Sequence, residues 1–363
     1  MPLGVYLHLP FCRVRCSYCP FAVSTDISLQ DRYTDALVRE MKSRSSGERV
    51  DTVFVGGGTP SRMSDENLRR TFDALRANFA VDAGAEISIE ANPEDVTPES
   101  LAQWRSLGIN RISIGVQSLH DRELLPLGRV HGAERAREAV RDAVASGVRT
   151  SLDLILGLPQ QTAESFAETL DVAIAAGVGH ISLYMLDLEE GTSLERQVAI
   201  GRTTLPDDEL IAASYVQAIE KLDAAGLKQY EISNFAREGE ECRHNLRYWR
   251  REEYQGFGIG AHSFIGSRRF ANTRDIERYI DGLLEPDFAE ELGAEEKRHE
   301  DLFLQLRQTS GIHYDDIERM CGQEGITWIE RGLTGGWLKR VGARVAFTPS
   351  GFLLSSDYIS QLF

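Results

Sequence analysis

No run of about 18 apolar residues occurs in this 363-residue chain, so no membrane-spanning helix is expected. Positive charge is also short. Lys and Arg number 40 against 56 Asp and Glu, a formal net charge of -16. Nonspecific nucleic-acid binding depends on cations that neutralise phosphates, so no nucleic-acid partner is expected, although a local basic site remains compatible with the balance. The opening Met-Pro-Leu-Gly-Val-Tyr has no basic stretch followed by an apolar one, and no secretory signal is expected. Cysteine is sparse, with five in all. Three of them fall within eight residues, which is not a disulfide framework but the clustering of metal or redox chemistry in a reducing compartment. The cytoplasm is the expected location.

What remains is an ordinary globular composition, 42% hydrophobic and 26% charged, long enough for one large domain and a smaller one. Short β-rich runs at 4–9, 52–55, 86–90, 111–115, 151–156 and 180–184 alternate with segments of helical spacing at 31–43, 65–79, 98–106, 133–145, 163–175 and 207–225. Ser64 or Asp65, Thr97-Pro98 and Thr162 supply helix-start signals. Such alternation predicts right-handed βαβ units on a parallel sheet. Six in a row favour a partial (β/α)6 barrel, with a doubly wound open sheet as the alternative. After residue 235 the rhythm stops. The expected domains are therefore 1–235 as the α/β part-barrel, 236–290 as a junction rich in Gly, Arg and aromatics, and 291–363 as a small α-rich domain. In the last, helices are expected at 294–308, 314–321 and near Trp328, and a strand at 344–347.

The segment Cys12-Arg13-Val14-Arg15-Cys16-Ser17-Tyr18-Cys19 puts three thiolates on one tight loop, enough for three corners of an iron–sulfur cube. Neither Pro20 nor Phe21 is a ligand, so one iron is left open for an exogenous group, as a catalytic metal requires. A zinc site completed by a remote residue and three buried structural cysteines are the competing readings. Zinc ligands come more often as paired C-x-x-C units, and only one such spacing is present. In a barrel, functional residues sit at the C-terminal ends of strands. Cys12 follows the first run, Gly56-Gly57-Gly58-Thr59-Pro60 the second and Gln117 the fourth, while Glu90 ends the third and Asp153 lies on the fifth.

The CxxxCxxC spacing resembles the signature of the radical S-adenosylmethionine (SAM) superfamily. That resemblance implies a [4Fe-4S] cluster held by Cys12, Cys16 and Cys19, with SAM chelating the open iron through its amino and carboxylate groups. It further implies that Gly57, Gly58 and Thr59 approach the SAM amino group, that Tyr6 and Gln117 contact SAM, and that Glu90 and Asp153 accept from ribose hydroxyls or the amino group. Arg129 would pair with the SAM carboxylate. Tyr18 is open to an adenine contact or to packing, and His8 to a supporting role near the cluster.

Tyr6–Cys12, GGGTP and Asp153–Pro159 together resemble the oxygen-independent coproporphyrinogen III oxidase branch over essentially the whole chain. That branch holds porphyrinogen decarboxylases and HemW-type heme chaperones. The decarboxylases resemble CxxxCxxCxC with a longer stretch ahead of the cluster, whereas Phe21 stands at the last position here. His244-Asn245-Leu246-Arg247-Tyr248-Trp249 matches the HNxxYW motif of the HemW type, although Pro20 replaces the Asp common there. The resemblance implies heme as cargo, transfer to client hemoproteins, and no span but room for peripheral membrane contact. His244 could then offer an imidazole to heme iron, or serve as a polar core anchor. Tyr248 and Trp249 offer flat faces to a porphyrin, Cys242 is a further candidate ligand, and Cys321 reads as packing. The alternatives are SAM-dependent oxidative decarboxylation of coproporphyrinogen III, or a related radical SAM methyltransferase or cyclopropane-forming activity.

Overall fold

The structure, a computed structural model, describes residues 2–362. Strands β1 (Leu3–Leu9), β2 (Arg49–Gly57), β3 (Ala80–Ala91), β4 (Arg111–Gln117), β5 (Arg149–Leu156) and β6 (His180–Met185) pair in chain order and in parallel. The helices that follow them, Gln30–Arg44, Asp65–Asn78, Pro98–Ser106, Ala133–Ala145, Ala163–Ala175 and Asp208–Ala224, lie within a residue or so of the predicted segments. Their starts are chemically marked. The Ser64 side chain accepts from Asn67 N, and Thr97 and Thr162 form reciprocal capping boxes with Ser100 and Ser165, each satisfying donors that a helix end leaves free. The strands bury Val, Ile and Leu on the helix-covered side, as a parallel sheet must.

The six βα units form a part-barrel whose sheet continues past both edges. At one edge β8 (Asn234–Ala236) and β7 (Lys228–Gln229) add antiparallel to β6. At the other, β9 (Tyr254–Phe257) joins β1 in parallel, followed by an antiparallel meander of β10 (His262–Ile265), β11 (Arg268–Ala271) and β12 (Phe288–Glu291). Residues 236–290 are therefore more than a junction, because they build one flank of the main sheet.

Between β8 and β9 the helix Arg243–Trp249 closes the N-terminal end of the part-barrel. Arg247 donates to Asp51, Thr52 and the Pro2 carbonyl, and His244 N donates to Glu86. Above it lies a hollow of about 160 Å³, walled by Ser88, Ser113, Ser151 and Ser182 from four successive strands. Barrel interiors of this kind are usually filled by bulky side chains. Here four of the inward positions are serines, which leaves a hollow between Tyr6, Phe54, Tyr184 and Tyr248.

The C-terminal residues form a second, smaller layer. It contains helix Ala294–Leu306, then β13 (Ile312–His313), helix Tyr314–Thr334 broken at Gly322, the hairpin β14 (Leu338–Val341) with β15 (Arg344–Phe347), and two short helices. Trp328, Phe347, Phe352 and Tyr358 pack its core. The expected helices are present, together with a three-stranded sheet of which only the 344–347 strand was anticipated.

Candidate functional site

All six parallel strands end on one side, and the loops there enclose a chamber of about 450 Å³. Its first wall is the cysteine loop. After β1 the chain is clasped by Cys12 N to Ser24 O (2.9 Å) and Ser24 N to Pro10 O (2.8 Å). Ser17 anchors the middle of the loop, its N bonding to Leu127 O and its Oγ to Pro126 O, both at 2.9 Å. Cys12, Cys16 and Cys19 all line the chamber and none is in a disulfide. Burial pushes the Cys12 thiol up to about 11 and raises Cys19 as well, and a bound cation would favour the thiolate form of both.

Two donors already face the sulfurs. Thr59 Oγ1 lies 3.5 Å from Cys12 Sγ, and Arg129 Nη1 lies 3.5 Å from Cys16 Sγ. Arg129 also donates through Nη2 to Asn92 Oδ1 and Gly115 O, both at 2.7 Å, while its Nε is buried without a partner. A buried donor left unmade is costly and marks where an acceptor is missing. Among the described residues no three His, Cys, Asp or Glu side chains gather tightly enough to hold a single metal ion. Independently of that, three thiols from one loop lining one chamber suit an iron–sulfur cluster, in which each iron takes a thiolate.

The second wall is the glycine turn after β2. Gly57 has φ +108°, and a Cβ on Gly58 would stand 2.5 Å from the Pro10 carbonyl carbon. These glycines therefore let β1 and β2 exit side by side, besides exposing backbone to a ligand. Gly57 N donates to Glu90 Oε2 at 3.2 Å. Glu90 and Asp153 share the chamber floor. Burial, and then the Asp153 charge, push the Glu90 carboxyl up to about 8, so it holds a proton at neutral pH. Asp153 accepts from Ser113 Oγ at 2.9 Å, and its carboxyl is raised by burial. Gln117 lines the same space at the irregular end of β4, with φ +65°. A non-glycine residue there is strained and points to a fixed local demand.

Cys12, Cys16, Cys19, Gly57, Gly58, Thr59, Glu90, Gln117, Arg129 and Asp153 thus line one chamber. Tyr6 does not. It lies one layer down, in the hollow, stacked on Phe54. Its Oη sits 3.3 Å from His8 Nδ1, and His8 Nε2 sits 2.9 Å from Ala22 O. Burial lowers the His8 imidazole to about 4, so it is neutral. Its Nε2–H donates to the carbonyl and its Nδ1 accepts from Tyr6, which ties β1 to the chain beyond Cys19. Tyr18 faces the chamber and packs with Leu127, Ile155, Leu158 and Leu194.

The HNxxYW segment departs furthest from the heme-contact expectation. His244 is 1% exposed. Its Nδ1 lies 3.0 Å from Thr52 Oγ1 and its Nε2 lies 2.8 Å from Tyr248 Oη, so neither nitrogen is free for iron. Tyr248 meets His244 and Tyr254 edge to face and lines the hollow at the barrel floor. Cys242 is also buried, with Sγ 3.6 Å from Glu86 Oε1. The motif is the polar plug of the barrel floor. Cys321 is half-buried against the small domain's core. Sequence reasoning passed over Asn92, Tyr184 and Met185, which line the chamber at the ends of β3 and β6. The strand-end rule that located Glu90 could have found them.

Comparison with known proteins agrees with this architecture. The Radical SAM superfamily pattern matches residues 6–173. The chain is 39% identical to heme chaperone HemW of Mycobacterium tuberculosis, over 99% of this chain and 95% of that one. It is 38% identical to heme chaperone HemW of Escherichia coli, over 73% and 70%. The solved structure of coproporphyrinogen III oxidase (HemN) from Escherichia coli, a radical SAM enzyme, superposes with a TM-score of 0.86 at 25% identity, over 99% of this chain and 90% of that one. With three cluster-spaced thiols at the mouth of a parallel part-barrel, and similarity that runs from end to end, the chain belongs to the HemW family of radical SAM proteins.

Proposed function

We propose that the protein is a heme chaperone, which takes up heme and passes it to client hemoproteins while carrying a SAM-liganded [4Fe-4S] cluster in the chamber. The observation that carries this reading is Phe21. Two residues beyond Cys19, where the decarboxylase pattern has a further thiol, a phenyl ring stands 59% exposed at the chamber rim. Similarity to HemW proteins over nearly the whole length supports it. The proposed setting is the cytoplasm, and no helix among the described residues is long and apolar enough to cross a membrane. The proposed organisation keeps 1–235 as the SAM-binding unit, 236–290 as its flanking sheet and floor plug, and 291–363 as the small domain.

When bound, the cluster and SAM supply one-electron reductive chemistry at the sulfonium. The chain's own part is positioning. Cys12, Cys16 and Cys19 would hold three of the cluster's irons. Thr59 and Arg129 donate toward the sulfurs, which favours the thiolate form. The unpartnered Arg129 Nε is the donor available to a carboxylate, and the Gly57–Gly58 backbone admits an amino group closely. The protonated Glu90 can donate while Asp153 accepts, so together the two can hold ribose hydroxyls. Tyr6 acts from below, through His8.

The test is anaerobic reconstitution followed by heme binding and coproporphyrinogen consumption, measured side by side. Stoichiometric heme uptake without product is the expected result. SAM-dependent conversion to protoporphyrinogen would overturn the chaperone reading. Replacing Cys12, Cys16 and Cys19 together with Ser is expected to abolish the reduced-cluster EPR signal and SAM binding, and a full iron complement in that variant would sink the cluster assignment.

A further inference from the structure

Heme uptake, the reading on which this inference rests, calls for an iron ligand that a porphyrin can reach. Histidine is the first side chain to consider. His8, His131, His180 and His244 are buried, with both ring nitrogens engaged. His120 lies against Glu168 and His299 has a partner within the protein. His313 lies on the separate three-stranded sheet. His262, the first residue of β10, is exposed, and among the described residues its ring makes no hydrogen bond.

Register fixes where His262 points. Tyr6 pairs with Gly256 across β1 and β9, and Tyr254, two residues earlier, pairs with Phe264 of β10. Cross-strand partners share a face, and side chains alternate with period two. Tyr6, Tyr254, Phe264 and His262 therefore face one side, the side that lines the barrel interior. The row continues outward, because His262 pairs with Ala271 and Ala271 with Phe288. Phe288 is 42% exposed and Ala271 is small. The result is a shelf in which the His262 and Phe288 backbones lie two strand spacings, about 10 Å, apart, with the small, buried Ala271 between them. The opposite face of these strands is covered by Arg44, which lies over Phe257 and Phe270.

The shelf adjoins the cluster loop. A Cβ on Gly260 would stand 3.5 Å from Ala22 Cβ and 3.7 Å from Arg274 Cγ. Arg274 is exposed and donates through Nη2 to Pro20 O at 2.6 Å, which leaves guanidinium donors for another acceptor. Its charge, after that of Arg269 on the same face, is felt at the His262 ring, but Arg269 is already paired with Glu290 and Glu300. Exposed Phe21 follows Pro20 directly. An apolar shelf, one free imidazole and one cation match a planar macrocycle with a central iron and peripheral carboxylates.

We propose that His262 is the iron ligand for heme docked on this shelf, with Phe288 beneath the macrocycle and Arg274 pairing with a propionate.

The experiment is heme titration of the full-length protein, followed by Soret absorbance and low-temperature EPR, for the wild type, His262→Gln, His262→Gly and Arg274→Gln. His262→Gln is expected to weaken binding by about tenfold or more and to lose the imidazole-ligated signature. Added imidazole should restore that signature in His262→Gly. Arg274→Gln should weaken binding with the signature unchanged. Unaltered affinity and signature in His262→Gln would overturn the assignment while the chaperone reading stands. If the wild type takes up no heme, the chaperone reading falls and this assignment falls with it.

Discussion

His244 and Glu90 show what single residues contribute. Every polar atom of the His244 ring has a partner within the protein, so truncation strands Thr52 and Tyr248 and leaves a cavity. We expect His244→Ala to lower stability by about 2–4 kcal/mol in urea unfolding, because the floor plug loosens. A large loss of heme affinity with stability unchanged would return His244 to the role of ligand. Glu90 makes a pH prediction for the cluster-free protein. Its folded carboxyl is raised to about 8 from 4.5, so the folded state holds a proton that the unfolded state has released. Below 4.5 both states are protonated and the group contributes nothing. Between 4.5 and about 8 it costs progressively more stability as pH rises. Glu90→Gln should flatten that slope in melts taken across the window, and an unchanged slope would remove Glu90 as its source.

At the scale of elements, the cluster loop and the glycine turn depend on each other. Gly58 N bonds to Leu9 O and Thr59 N to Phe11 O, so the turn after β2 splints the chain just before Cys12. Gly58→Ala has no room for its methyl group. It is expected to cost about 1–3 kcal/mol and to reduce iron retained after reconstitution, measured by calorimetry and iron assay. Thr162→Ala should cost only about 1 kcal/mol for a lost cap, with iron content unaffected. The pairing separates stability from cluster geometry.

Elements also show why some of the structure was legible in sequence and some was not. The βα rhythm, the caps and the strand-end position of Glu90 or Asp153 are local patterns, and the chain displays them in order. Tyr6 lies one layer below the other expected SAM contacts, because sequence gives the strand but not which tier of the barrel a side chain occupies. β9 to β12 are four residues each and interrupted by glycines, too short for periodicity to register. The His262–Ala271–Phe288 row exists only through pairing between strands. The HNxxYW motif was visible as a pattern, but whether its histidine faces solvent or the floor depends on Thr52 and Glu86, which lie more than 150 residues away.

For the whole molecule, the two layers are joined at the floor. Gln308 Nε2 donates to Trp249 O at 3.1 Å, Ile232 N to Arg307 O at 2.9 Å, and Arg251 pairs with Asp301. The C-terminal layer thus grips the plug helix rather than the chamber loops. Removing the cluster should therefore expose residues 12–23 to limited proteolysis while the small domain stays protected. Cleavage that begins in the small domain would contradict this division.

The serine-walled hollow gives the chamber an unusual base. Ser88 Oγ and Arg111 Nη2 are buried there without protein partners, and polar cavities with such groups hold ordered water. A charge arriving above Glu90 and Asp153 then rests on dipoles free to turn rather than on hydrocarbon. The hollow thus offers polar groups beneath two carboxyls that burial disfavours as charges, and water held there would ease the cost of a change in charge above it.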